Sequence, residues 1–132
     1  MKWRKGEIVK GDKFGTKIGF PTLNIANPNV LKGKKHGVYA SLLKIEKTFY
    51  YGILFFGPRF IHKEKKPVLE IHVFDFDKKI YGRTVYFRLV EYIRPPINFS
   101  NIDAFKKQLI MDCKKTRQIL TRFLKQTSFD TI

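Results

Sequence analysis

The hydrophobic pattern of this sequence changes its period once, at Pro95-Pro96, and this change limits the possible folds more than any other feature. Before it, apolar residues alternate with polar ones or form short aromatic and β-branched runs, which are typical of strands. After it, apolar residues recur at intervals of three and four, which predicts an amphipathic helix over about residues 101–124. That spacing holds for Ile102, Phe105, Leu109, Cys113, Thr116, Leu120 and Phe123.

The strand-like part divides into short segments separated by turn residues. Strands are predicted at Glu7–Lys10, Gly37–Ile45, Phe49–Phe56, Val68–Phe76 and Ile80–Ile93. In the last strand, strict alternation places Ile93 on the same face as Val85, Phe87 and Leu89. Ser100, three residues before Asp103, resembles a capping box at the start of the helix. Five or six strands followed by one helix favour a small antiparallel barrel over about residues 6–95, which the helix closes.

Length and composition exclude several classes of protein. A chain of 132 residues fits one domain, and with 43% apolar residues it is too hydrophobic to be disordered. No uncharged stretch is long enough to span a membrane, and the N-terminus lacks the apolar run of a signal peptide. A single cysteine, Cys113, predicts a reducing, cytoplasmic setting. The net charge of +16 favours polyanions or phosphorylated small molecules, but dispersed lysines are also typical of a solvated surface.

A glycine-punctuated segment near the N-terminus is the first candidate for chemistry. Gly11, Gly15 and Gly19 leave backbone N–H groups open to a ligand, and Lys13 and Lys17 beside them add charge for phosphate oxygens. The neutral oxygens of Thr22 and Asn24, two residues apart on an extended backbone, suit a magnesium ion carried by nucleotide phosphates. The alternative is an ordinary glycine-rich turn between strands, since the segment matches neither dinucleotide nor Walker motifs.

Glu70 is the second candidate, because it is an acidic residue inside an apolar strand. Alternation directs Glu70 and His72 to one face and Leu69, Ile71 and Val73 to the other. A carboxylate in such surroundings can act as a general base, but it can equally be a solvent-facing residue on a half-exposed sheet.

These pieces, in this order, resemble the riboflavin kinase family, which is found alone or as the C-terminal module of bacterial bifunctional FAD synthetases. The resemblance covers about residues 6–124. It rests on the glycine segment with GFPTLN at residues 11–24, GVYA at 37–40 and EIH at 70–72. It continues with IYG at 80–82, Ile93-Arg94 with Phe99, and Gln108, Asp112 and Leu120 in the helix.

The resemblance implies a six-stranded antiparallel Greek-key barrel with a C-terminal helix that transfers the ATP γ-phosphate to the 5′-hydroxyl of riboflavin, giving FMN and ADP. It also implies roles for individual residues. Glu70 is the expected base, and Thr22 and Asn24 are the expected magnesium ligands. Nucleotide binding is expected of Gly11, Gly15, Lys17, Gly19, Thr22 and Tyr81, and flavin binding of Arg94 and Phe99.

The sequence also departs from the family pattern at Phe55–Phe60 and at Pro96, which bears on substrate affinity. We expect a monomer whose partners are riboflavin and ATP, without nucleic acid or membrane, and whose end product is FMN rather than FAD. Two alternatives stay open. One is a flavin- or nucleotide-binding relative without turnover, and the other is a basic barrel that stacks single-stranded nucleic acid on its aromatic residues.

Overall fold

The computed structural model describes residues 2–11, 14–59, 66–76 and 78–126, and Lys13 and Phe60 lie outside these ranges. The described part contains six strands, two α-helices and a short 3₁₀ turn at Pro28–Leu31. In chain order the elements are β1 (Arg4–Val9), α1 (Phe14–Lys17), β2 (Leu23–Ile25), β3 (Gly37–Ile45), β4 (Thr48–Gly57), β5 (Val68–Val73), β6 (Thr84–Arg94) and α2 (Ile102–Gln126).

The six strands form a closed barrel in the order β1-β2-β5-β4-β3-β6, and every pairing is antiparallel. Strands β3, β4 and β5 are neighbours in sequence and in space, and β6 returns to lie beside β3, which is a Greek-key connection. The strands predicted at Gly37–Ile45 and Phe49–Phe56 pair with each other as a hairpin: β3 pairs with β4 from Gly37 opposite Phe56 to Ile45 opposite Thr48. The expected six-stranded antiparallel barrel with a C-terminal helix is therefore confirmed.

The barrel interior is filled by alternate residues of the strands. On β5, Leu69, Ile71 and Val73 belong to the interior cluster, as the alternation predicted. Glu70 and His72 consequently project from the outer surface of the barrel. The same cluster takes Val85, Phe87 and Leu89 from β6 and Tyr39 and Leu43 from β3.

Helix α2 packs on the outside of the barrel against β3, β4 and β6. Its inward face contributes Ile119 and Leu120 to a second apolar cluster, which also contains Ala40 and Leu42 of β3. Strand β3 is therefore buried on both faces, by the barrel core on one side and by the helix on the other. Within the described residues, no helix is long and apolar enough to cross a membrane.

Two local predictions from the sequence are wrong in detail. The pairing of β6 with β3 shifts register between Ala40 and Ser41 and again between Val38 and Tyr39, so strict alternation fails beyond Leu89. As a result Ile93 packs beneath the helix instead of joining the barrel interior. The helix is capped one residue later than expected, because the Asn101 side-chain oxygen accepts a hydrogen bond from the Ala104 N–H at 2.8 Å.

Candidate functional site

A cavity of about 270 Å³ lies on the outer surface of the barrel, between β4 and β5 on one side and the start of α2 on the other. Residues 96–101, which connect β6 to α2, line it continuously. The remaining wall is largely apolar and includes Ile53, Phe55, Phe105 and Leu109. Among the residues predicted for a site, Gly15, Thr22, Glu70, Arg94 and Phe99 all line this cavity.

Glu70 forms an ion pair inside this cavity. Its Oε2 lies 3.5 Å from Nη1 of Arg59, and the two side chains are only 19% and 15% exposed. Arg59 follows β4, which runs beside β5 in the sheet. Glu70 is therefore not an ordinary solvent-facing glutamate, because its side chain is mostly buried and forms an ion pair at the wall of a cavity.

The glycine segment contains a turn of helix that the sequence did not predict. After α1, the Phe20 N–H donates to the Gly15 carbonyl at 2.7 Å, which closes the segment on itself. A Cβ atom on residue 15 would lie 2.2 Å from the Phe20 oxygen, so this closure requires glycine. The folded segment brings Gly15 and Thr22 to the same cavity as Glu70.

Asn24 lies beside Glu70, although it does not line the cavity. The two residues are opposite each other in the β2–β5 pairing. A Cβ atom on Gly11 would lie 2.1 Å from the Asn24 amide nitrogen, so the backbone at Gly11 covers this side chain closely. Gly11 and Asn24 thus lie together beside Glu70, and Thr22 lines the cavity with it.

His72 projects from β5 on the same face as Glu70 and also lines the cavity. Its Nδ1 lies 2.8 Å from the Pro21 carbonyl oxygen, and its ring contacts the ring of Phe20 edge to face. Burial lowers the pKa of His72 below its usual value, and the nearby Arg117 charge lowers it further, against a hydrogen bond to Pro21 that raises it. From the sequence, this histidine is known only by its place on the strand and in the EIH segment at residues 70–72, without an assigned role.

The connection over the cavity is anchored by Arg94. Its guanidinium forms a forked pair with Asp112 of α2, with Nε 3.1 Å from each carboxylate oxygen and Nη2 2.8 Å from Oδ2. Gln108 Nε2 donates to the same carboxylate at 3.0 Å, and Asp112 is only 1% exposed. The Phe99 ring centre lies 5.7 Å from Cζ of Arg94. Arg94 therefore joins the end of β6, the connection and the helix.

Four residues predicted to bind nucleotide lie outside the cavity: Gly11, Lys17, Gly19 and Tyr81. Lys17 and Gly19 are exposed at the end of the glycine segment. Tyr81 lines a separate depression, and its ring centre lies 5.7 Å from Nζ of Lys10, next to Gly11. Tyr81 is therefore near Lys10, at the start of the glycine segment, and outside the cavity that Glu70 lines, and its role stays a prediction.

Three residues of the site received no role from the sequence, namely Arg59, His72 and Asp112. The Asp112 side chain could have been noticed, because it is an acidic residue on the apolar face of a basic helix. The partners of Arg59 and His72 are more than ten residues away along the chain and leave no local signal.

Comparison with known proteins settles the family. A model of the riboflavin kinase family matches residues 3–120, which is nearly the whole chain. The chain belongs to the riboflavin kinase family. The resemblance drawn from the glycine segment, Glu70 and the helix residues is thereby confirmed.

Individual relatives of this riboflavin kinase family member agree. The chain is 36% identical over 110 residues to the trifunctional protein RibF/MnmA of Mycoplasmoides gallisepticum, covering 83% of this chain and 17% of that protein. It is 29% identical over 119 residues to a bifunctional riboflavin kinase/FMN adenylyltransferase of Listeria monocytogenes, covering 89% and 38%. It thus spans less than half the length of both. The crystal structure of riboflavin kinase from Trypanosoma brucei shares the fold, with a TM-score of 0.67, 21% identity and coverage of 98% and 92%.

Proposed function

We propose that this chain is a riboflavin kinase that transfers the γ-phosphate of ATP to the ribityl 5′-hydroxyl of riboflavin, giving FMN and ADP. The observation that carries the proposal is the shared cavity: Glu70 and Thr22 line one wall, and the connection with Phe99 lines the other. A base and a nucleotide-binding segment on one side of an apolar cavity fit a reaction between a phosphate donor and a flavin.

The side chains present fit a magnesium ion that arrives with the nucleotide. Thr22 and Asn24 offer neutral oxygens beside the Glu70 carboxylate, and oxygen ligands of this kind are the ones magnesium prefers. In the part of the chain that the structure describes, no group of three or more His, Cys, Asp or Glu residues could hold a metal by itself. A bound magnesium ion would neutralise phosphate charge during the transfer.

In the proposed reaction, Glu70 accepts the proton of the riboflavin 5′-hydroxyl, which makes the oxygen a better nucleophile. Arg59 Nη1, 3.5 Å from the carboxylate, holds it in place and adds positive charge next to the transferring phosphoryl group. The backbone of the glycine segment, with Gly11, Gly15, Lys17 and Gly19, binds the phosphates of the nucleotide. Tyr81 binds the nucleotide near Lys10, at the start of that segment.

The flavin ring lies against the apolar wall beneath the connection. Phe99 packs against Phe105 of α2, with ring centres 5.1 Å apart, and both line the cavity. Aromatic and aliphatic walls of this kind bury flat ring systems well. The Arg94 guanidinium contacts the Phe99 ring and is itself held by Asp112, so it fixes the position of Phe99.

Product analysis tests the proposal. The chain is incubated with riboflavin, ATP and magnesium, and the mixture is separated by chromatography. We expect FMN and ADP to form in equal amounts, and we expect the Glu70→Gln variant, as the matched control, to bind riboflavin without forming FMN at a comparable rate. Riboflavin fluorescence that is quenched on binding, with no FMN from the wild-type chain, would favour the binding relative without turnover.

The proposal includes the setting in which the chain acts. We propose a cytoplasmic monomer whose partners are small molecules rather than nucleic acid or a membrane. The single thiol, Cys113, is half-buried on α2, and burial raises its pKa, which favours the protonated thiol over the reactive thiolate. Analytical ultracentrifugation with and without added RNA checks both the monomeric state and the absence of a complex.

A further inference from the structure

His72 connects the catalytic strand to the glycine segment through one hydrogen bond. A carbonyl oxygen only accepts, so the 2.8 Å contact between Nδ1 and the Pro21 oxygen requires the hydrogen on Nδ1. The imidazole is the donor, and its other nitrogen, Nε2, carries no hydrogen when the ring is neutral. The lowered pKa of His72 favours this neutral form.

The segment held by this bond is otherwise bonded mainly to itself. The N–H groups of Ile18 and Phe20 donate to the Gly15 carbonyl at 3.2 and 2.7 Å, which folds the segment but does not attach it to the barrel. Pairing with β5 begins only at Leu23, opposite Ile71. The bond from His72 to Pro21 is thus made just before the β-ladder, at the point where the folded segment meets the sheet.

The hydrogen bond to the Pro21 carbonyl also restricts the position of Thr22. The proline ring fixes its own φ angle, so a bond that holds the Pro21 carbonyl also restricts the peptide that leads into Thr22. The imidazole itself is held on two sides, because its ring centre lies 5.4 Å from that of Phe20 and 5.7 Å from that of Phe74. A ring held this way presents its donor in one direction.

We propose that His72 is a positioning residue for nucleotide binding: its Nδ1–H fixes Pro21, and thereby sets the distance between Thr22 and the Glu70 carboxylate two residues earlier on β5. This inference deepens the proposed kinase function and rests on it. His72 acts through Thr22 and the glycine segment, and it takes no proton in the reaction. Its effect should therefore fall more on the magnesium–nucleotide complex than on riboflavin, whose ring lies against the wall formed by residues 96–101 and α2.

A matched pair of variants isolates the hydrogen bond. In His72→Asn the amide nitrogen occupies the position of Nδ1 and can still donate to Pro21, whereas His72→Leu has a similar volume and no donor. Both variants lose the ring contacts equally. Calorimetric titration with ADP and magnesium measures nucleotide binding without turnover, and quenching of riboflavin fluorescence measures flavin binding.

We expect His72→Leu to weaken binding of magnesium–ADP about 5-fold or more, the value of one ordinary hydrogen bond. His72→Asn should stay within about 2-fold of wild type, since its donor is retained, and riboflavin affinity should fall less than magnesium–ADP affinity in His72→Leu. Equal losses in the two variants, an equal loss for riboflavin, or a wild-type chain that binds no magnesium–ADP would overturn the inference. If His72→Leu does not fold, His72→Gln replaces it, because its amide lies one bond too far to reach Pro21.

The outcome is separable from that of the kinase proposal. A wild-type chain that binds magnesium–ADP but forms no FMN would refute the kinase activity alone, and the comparison of the two variants would still decide the role of His72.

Discussion

The buried ion pair between Arg94 and Asp112 allows a prediction with a defined magnitude. Asp112→Asn keeps the shape of the side chain and removes its charge, which leaves the Arg94 guanidinium, only 12% exposed, without a counter-ion. Removing one partner of a buried ion pair typically costs about 3–5 kcal/mol. Because asparagine can still accept one hydrogen bond, we expect the lower end, about 3 kcal/mol.

Thermal unfolding followed by circular dichroism measures this loss. A cost of about 3 kcal/mol in a chain of this length corresponds to a fall in Tm of about 10 °C. The connection over the cavity rests on Arg94, so riboflavin should also bind more weakly, as measured by fluorescence quenching. Magnesium–ADP binding should change less, because the glycine segment lies against β5 rather than α2.

A double variant distinguishes the lost charge from the lost packing. Arg94→Met with Asp112→Leu removes both charges at once and replaces them with apolar side chains, which is often neutral or stabilising for a buried pair. We expect its Tm to lie well above that of Asp112→Asn. A fall of less than about 3 °C for the single variant, or a double variant as unstable as the single, would refute the reasoning.

Three further predictions concern the cavity. Glu70→Gln should lower kcat by about 10²–10⁴-fold with both substrates still bound, and a loss below about threefold would exclude Glu70 as the base. Thr22→Ala should weaken magnesium–nucleotide binding more than riboflavin binding, and titration with excess magnesium should partly restore it. The pKa of His72 is lower in the folded chain than its usual value of 6.5, so His72 is protonated at a higher pH in the unfolded chain than in the folded one. Stability should then fall below about pH 6.5 more in the wild type than in His72→Asn, as Tm against pH would show.

The parts of the fold that could be predicted depend on residues close together in the chain. The hairpin of β3 and β4 follows from two apolar runs on either side of Glu46-Lys47, and the structure pairs them residue by residue. The helix follows from spacing of three and four. The alternation on β5 predicted that Leu69 and Glu70 lie on opposite faces, and the structure places Leu69 in the barrel core and Glu70 in the wall of the outer cavity.

The parts that could not be predicted arise from contacts across the sheet. The register shifts of β6 depend on how its residues fit beside β3, and no local pattern shows that alternation fails beyond Leu89. The short helix α1 is held by closure of Phe20 on Gly15. Arg59 meets Glu70 only because β4 and β5 are neighbours in the barrel, so the charge beside the base is a property of the fold rather than of the motif.

The double burial of β3 has a consequence for the mutational tolerance of the chain. An outward-facing position on a barrel strand normally meets solvent and accepts many side chains, but Ala40 and Leu42 are 0% and 1% exposed beneath the helix. Polar substitutions should therefore fail at both faces of β3, whereas in β1 they should be accepted at exposed positions such as Lys5 and Glu7. A saturation-mutagenesis map scored by folded yield would show β3 as a continuous intolerant band and β1 as an alternating one.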